Sequence, residues 1–136
     1  MHPLQNCKVH KFVAPIDANG TTATDTEVDT LGYDYLFVLI GVGNIAADTD
    51  VLTINESDTA SQTGDVIVTF TDLLATGGDG TQVGAFIDLR GRKRYISLVL
   101  DVGAAATLIC AYGLLYRSNE SPNTATERGL AEQFII

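Results

Sequence analysis

Hydrophobic residues recur along this chain with a period of two, which is the spacing of a β-strand whose two faces meet different surroundings. The clearest example is the stretch 95–102, where one face is uniformly aliphatic and consists of Ile96, Leu98, Leu100 and Val102. The opposite face is more polar and includes Ser97 and Asp101. This alternation predicts a half-buried strand, and residues 107–116 predict a second one with a less regular pattern.

The stretch 33–42 is apolar on both faces apart from Asp34. In so small a domain, one face of a strand packs on the core and the other usually meets water. A second apolar face therefore predicts a further contact, either with a covering segment or with another subunit.

Shorter alternating stretches, separated by turn residues, complete the pattern. They comprise residues 8–14, 23–30, 51–56, 65–70 and 84–89. Asn-Gly and other glycine-containing turns lie between them, and no convincing amphipathic helix precedes residue 118. The chain is predicted to be all-β, a single-domain antiparallel β-sandwich or jelly roll of about eight strands with extended N- and C-terminal arms.

Length and composition support one globular domain over residues 1–136, with a core at about 8–117 and a C-terminal arm at 118–136. The hydrophobic content is 46% and the charged content 18%, and no apolar run approaches the roughly 20 residues of a membrane helix. The arm is polar, contains Pro122 and ends in Phe134, Ile135 and Ile136. Three fates stay open for this end: packing on its own sandwich, insertion into a neighbouring subunit, or terminal disorder.

Charge is unevenly distributed. The chain has a net charge of -9 and only eight Lys and Arg residues, which argues against non-specific nucleic-acid binding. Half of those cations lie in one short segment, the basic turn, which consists of Arg90, Arg92, Lys93 and Arg94. This segment could be a solvated hairpin that guards strand edges. A nucleic-acid patch would need interleaved aromatic residues, and only Tyr95 is adjacent. The third interpretation is a contact with carboxylates of a neighbouring subunit or another protein.

Candidate catalytic chemistry is missing from the sequence. The only histidines, His2 and His10, lie near the N-terminus without a plausible partner, and no serine lies in a Gly-x-Ser-x-Gly elbow. The acidic loops do not match a calcium-binding loop, and Cys7 and Cys110 match no metal motif or disulfide scaffold. The sequence therefore predicts a protein that is not an enzyme and that has no catalytic residues, cofactor or metal.

Several motifs together resemble a known family. Residues 88–95 (DLRGRKRY), the pair 116–117 (YR) and residues 122–129 (PNTATERG) look like segments of small tailed-bacteriophage and prophage head proteins. Residues 29–35 (DTLGYDY) and 54–58 (INESD) are also similar. These proteins are encoded beside the major capsid protein and act as capsid decoration, or cement, proteins. The resemblance spans roughly residues 22–129.

The resemblance implies a structural virion protein that binds and stabilises the assembled phage head. Its partners would be the major capsid protein and itself, commonly as a homotrimer, with no nucleic acid and no membrane. Its location would be the outer capsid surface of the virion after synthesis in the host cytoplasm. The alternative is a receptor- or carbohydrate-binding module of a phage tail, although the chain lacks the Trp that sugar sites favour. The candidate interface residues are Arg90, Arg92, Lys93, Arg94, Arg117, Arg128, Phe134, Ile135 and Ile136.

Overall fold

A computed structural model describes residues 6–19, 22–24, 27–61, 64–71, 78–103, 105–118 and 124–132. Within these residues the strands are β1 (Cys7–Ala18), β2 (Thr22–Thr24), β3 (Val28–Asp29), β4 (Tyr33–Ile45), β5 (Thr49–Ser57), β6 (Asp65–Thr69), β7 (Gln82–Asp88), β8 (Tyr95–Val102) and β9 (Thr107–Ser118). All strand pairs are antiparallel. The part of the chain described here contains no helix that is long and apolar enough to cross a bilayer.

The strands form two sheets. The front sheet has the order β1-β9-β4-β7, and the back sheet has the order β2-β8-β5-β6, with β3 also paired to β8. The all-β antiparallel sandwich predicted from the sequence is therefore confirmed. Consecutive strands change sheet at six connections, which are β1–β2, β3–β4, β4–β5, β6–β7, β7–β8 and β8–β9. The β7–β8 connection contains the basic turn.

The core fills the space between the two inner faces. Its completely or almost completely buried large side chains are Phe12, Val28, Leu36, Val38, Ile40, Leu52, Ile54, Ile96, Leu98, Leu100, Val102 and Leu115. Four of them are the aliphatic face predicted for residues 95–102. Beside the Phe12 ring, β9 carries Gly113, where a Cβ atom would lie 2.6 Å from that ring and 3.0 Å from Leu36. Because Gly113 has no side chain, the Phe12 ring can pack against β9 at this position.

Strand β4 has two apolar faces, as its sequence predicts. Leu36, Val38 and Ile40 point into the core and have no exposed surface. The alternate residues Phe37 and Leu39 lie on the outer side of the front sheet, where Leu39 keeps 39% of its surface exposed. The outer apolar face is therefore not fully covered within the described part of the subunit.

The described part of the predicted C-terminal arm folds back onto its own sheet. Residues 124–129 form turns, and the N–H of Val9 in β1 donates to the carbonyl of Arg128 at 2.6 Å. Gly129 follows with φ of +73°, and a Cβ there would overlap the carbonyl oxygen of Val9. This segment thus covers part of the β1 edge. The terminal residues Phe134, Ile135 and Ile136 lie outside the described residues.

Candidate protein-binding surface

The basic turn connects the two sheets at one end of the sandwich. Its backbone reverses through Gly91, with φ of +80°, and the N–H of Arg92 donates to the carbonyl of Leu89 at 3.0 Å. The turn lies beside the ends of β3, β5 and β6, each of which contributes a carboxylate or is followed by one. The cation-rich turn therefore meets acidic residues of its own subunit.

Each cation of the basic turn has a carboxylate partner within the same chain. The N–O distances are 2.6 Å for Arg90–Asp88, 3.8 Å for Arg92–Glu56, 2.7 Å for Lys93–Asp65, 3.9 Å for Lys93–Asp58 and 2.6 Å for Arg94–Asp29. Arg90 and Arg94 each donate two side-chain N–H groups to one carboxylate, the bidentate geometry that arginine favours. One interpretation of the sequence was a contact of these cations with carboxylates of a partner, and the structure pairs them with carboxylates of the same chain. The turn joins the strand ends of both sheets.

These contacts lower the pKa values of three of the carboxylates. Hydrogen bonds from Arg90 lower the pKa of Asp88 to about 2. Hydrogen bonding to Arg94 lowers the pKa of Asp29, and hydrogen bonding to Lys93 lowers the pKa of Asp65. All three carboxylates therefore stay ionised to a lower pH than an ordinary Asp side chain does.

Stability should fall at low pH for this reason. A carboxylate with a lowered pKa in the folded state contributes stability above its ordinary pKa, and that stability is lost as pH falls through the folded value. We expect the melting temperature to decline between about pH 4 and about pH 2, and calorimetric scans across that range measure it. An Asp88→Asn variant should decline less steeply. A wild-type melting temperature that stays constant over this range would contradict the prediction.

An aromatic cluster extends from the basic turn onto the front sheet. The rings of Tyr35 and Tyr116 stack with centroids 5.3 Å apart. The guanidinium groups of Arg90 and Arg117 lie 5.2 and 5.5 Å from the Tyr35 ring, close enough for cation–π attraction. Arg117 also approaches Asp34 at 3.6 Å. Arg117, a predicted interface residue, is therefore held by β4 while its side chain stays largely exposed.

The outer side of the front sheet, here called the front face, is rich in exposed apolar side chains. Phe37 and Phe86 stack with ring centroids 4.4 Å apart, and Phe86 keeps 79% of its surface exposed. Leu39 and Tyr112 are directly opposite each other on β4 and β9, and Leu108 lies further along β9. Exposed apolar groups that adjoin in this way mark protein-interaction surfaces.

One end of the front face is concave. A depression of about 480 Å³ lies between β1, β4 and β9, and its walls include Ile16, Leu108 and Cys110. Its floor includes Gly41 and Gly43, which have no side chains to fill it. The depression is open and mainly apolar, so it can accept an apolar side chain from a partner.

The other predicted interface residues are distributed differently. Arg128 is only 8% exposed and so presents little surface to a partner. Phe134, Ile135 and Ile136 fall beyond the described residues. The sequence analysis did not select Phe86, Leu108 or Tyr112. Period two groups Leu108 with Tyr112, but it does not show that their common face is the outer one.

Potential chemical sites are few in the described residues. No group of three or more His, Cys, Asp or Glu side chains there could hold a metal ion. Cys7 and Cys110 are not joined in a disulfide. Burial raises the pKa of the Cys7 thiol, although nearby Arg128 opposes that shift. The front face therefore stands out as the main candidate for function.

Comparison with known proteins finds a likeness among solved structures. No protein-family model matches the chain, and no curated protein matches it. Among solved structures, the chain is similar to one from a study of Bacillus endospore appendages, described as a novel family of disulfide-linked pili. The two are 16% identical, with a TM-score of 0.49, over 82% of this chain and 88% of that chain. A likeness this distant carries no argument about function.

Proposed function

We propose that the protein is a structural virion component that attaches to an assembled phage head through its front face. The observation that carries this proposal is the exposed apolar surface formed by Phe37, Leu39, Phe86, Leu108 and Tyr112. The resemblance to capsid decoration proteins supplies the partner, which is the shell built from the major capsid protein. In this role the protein adds contacts to the shell and carries out no reaction.

The size of the front face suits such a contact. Four strands spaced about 4.8 Å apart are about 19 Å wide, and a strand of 13 residues such as β4 is about 44 Å long. The area of the front face is therefore at most about 800 Å², because β7 has only seven residues. This upper value is close to the area that one partner contributes to a standard protein–protein interface, about 800 Å². A stable complex therefore does not require a second large surface.

Charge has a separate role in this proposal. The four cations of the basic turn and Arg117 already pair with carboxylates of the same chain. They therefore contribute little long-range attraction to a partner, because paired charges largely cancel. The net charge of -9 keeps the free subunit soluble, so the apolar front face can stay exposed until it binds.

A direct assay tests the proposal. Heads from the phage or prophage that encodes this chain are purified without the protein, and the protein is titrated onto them. We expect saturable binding and a higher melting temperature of the heads, because a ligand that binds only the assembled state stabilises it. If binding does not saturate and the melting temperature of the heads does not change, the proposal fails. Binding of the protein to a glycan array instead would favour the tail-module alternative.

A further inference from the structure

Strand β7 is the terminal strand of the front sheet, and no strand among the described residues pairs with its outer edge. The N–H of Val42 donates to the carbonyl of Thr81, and the N–H of Leu89 donates to that of Asp34. In an antiparallel pair, residues bonded to the neighbouring strand alternate with residues whose backbone groups face away. The odd-numbered residues of β7 thus bond to β4. The N–H and C=O groups that face away belong to Gln82, Gly84, Phe86 and Asp88.

The two edges of the front sheet differ in the features that prevent pairing with another strand. The β1 edge carries Lys8 and Lys11, has two register shifts, and bonds to Arg128 through Val9. Lysines, bulges and covering segments are the devices that keep strand edges from pairing. Strand β7 has no lysine, no proline and no register shift against β4. Among the described residues no further strand pairs with it. This edge is therefore suited to accept another strand.

We propose that β7 pairs with β7 of a second copy of this chain, antiparallel, about a two-fold axis through Ala85. Ala85 is the midpoint of the seven-residue strand, so this register pairs every residue of β7. It places Gln82 opposite Asp88 and Gly84 opposite Phe86. These are the residues whose backbone groups face away from β4, so the pair gains about eight hydrogen bonds. The two front sheets become one continuous sheet of two subunits.

The side chains favour a second copy as the occupant. Phe86 would lie opposite Gly84, which has no side chain to obstruct the ring. The Phe37 ring already extends over Gly84, where a Cβ atom would be 3.1 Å from it. The Phe86 ring of one subunit would therefore meet the Phe37 ring of the other, and aromatic cross-strand contacts stabilise sheets.

Complete pairing of the strand and the position of Phe86 favour the same register. Asp88 faces neutral Gln82 in the register centred on Ala85, so no like charges are opposed. A shift of two residues either way leaves residues at the strand ends unpaired and opposes Phe86 to itself or Gly84 to itself. In the register centred on Ala85, every residue of β7 is paired and Phe86 lies opposite Gly84.

Sedimentation of the purified full chain tests the pairing, with a dimer as the expected species. Phe86→Pro removes an N–H that faces away from β4, so it breaks the proposed pair while keeping every bond of β7 to β4. Phe86→Ala removes the ring but keeps the N–H, and it is the matched control. We expect Phe86→Pro to be monomeric and Phe86→Ala to keep a weakened dimer. A monomeric or trimeric wild-type protein would overturn the proposal, as would a dimer unaffected by Phe86→Pro.

A charge exchange at Gln82 tests the register without altering the core. Gln82→Glu opposes a carboxylate to Asp88 at both ends of the pair, whereas Gln82→Lys opposes an ammonium group. Like charges directly opposite on paired strands are destabilising, and opposite charges are stabilising. Because Arg90 already pairs with Asp88, we expect the low end of this effect, so the dimer dissociation constant should rise about 2-fold with Glu and fall with Lys. Equal dimerisation of both variants would overturn the register even if Phe86→Pro fails to fold.

The pairing and head attachment share Phe37 and Phe86 but are tested by separate measurements. Dimerisation is measured on the isolated protein, whereas attachment is measured with heads, and the Gln82 variants leave the centre of the front face unchanged. Failure of one measurement therefore leaves the other interpretable. The resemblance to decoration proteins implies trimers, and the measured mass separates that expectation from the two-fold pair.

Discussion

A Leu39→Lys, Tyr112→Lys double variant should lose attachment to phage heads while keeping its fold. The two residues are opposite each other on β4 and β9, at the centre of the front face, and both keep over a third of their surface exposed. Each central apolar anchor of an interface is worth about 2 kcal/mol or more, so the loss of two corresponds to about a thousandfold weaker binding. Titration onto heads measures this change.

The control for that variant uses exposed apolar residues elsewhere. Val66 on β6 of the back sheet and Leu31 before β4 keep 55% and 68% of their surface exposed. A Val66→Lys, Leu31→Lys variant makes the same change of charge away from the front face. We expect it to bind heads like the wild type. Equal loss of binding in both double variants would indicate a general charge effect and would contradict the assignment of the front face.

A Gly129→Ala variant should be destabilised by about 2–3 kcal/mol. A left-handed backbone costs a residue with a Cβ about 1–2 kcal/mol, and Gly129 has φ of +73°. The added Cβ would also overlap the Val9 carbonyl oxygen, which forces residues 124–130 away from β1. The Val9–Arg128 hydrogen bond, worth about 1 kcal/mol, is then lost. Urea unfolding of the full chain measures the free energy of unfolding.

Gly80 provides the control for the backbone contribution. It has φ of +70°, and a Cβ there would have no atom within 4 Å. Gly80→Ala should therefore show the left-handed cost alone, about 1–2 kcal/mol. The difference between the two variants isolates the docking of residues 124–130 on β1. Equal free energies of unfolding would mean that this docking contributes nothing to stability.

The strand pattern was readable from the sequence because alternation is a local property. Residues 95–102 form β8 with the predicted bounds, and their aliphatic face is buried. The two apolar faces of β4 were also evident. The full length of β1 was not evident. The sequence predicts a strand over residues 8–14, whereas β1 continues through two register shifts to Ala18. Bulges of this kind are set by the partner strand and leave no periodic signal.

The candidate site was less accessible to sequence reasoning. The basic turn attracts attention as a cluster of cations, but its partners are distant in sequence, as the pairing of Arg94 with Asp29 shows. Only the fold reveals that these charges are paired within the subunit. Phe86 is also recognised only from the fold, because its exposure depends on β7 being an edge strand. Strand order is a non-local property, and a single sequence carries little information about it.

A reconstruction of heads with the protein bound tests the central claim most directly. The proposal predicts that the front face, with Leu39 and Tyr112 at its centre, lies against the shell and is buried there. It also predicts that the basic turn keeps its carboxylate pairs within the subunit. A bound protein whose front face points to solvent would contradict the claim, and so would heads that carry no density for the protein at saturating concentration.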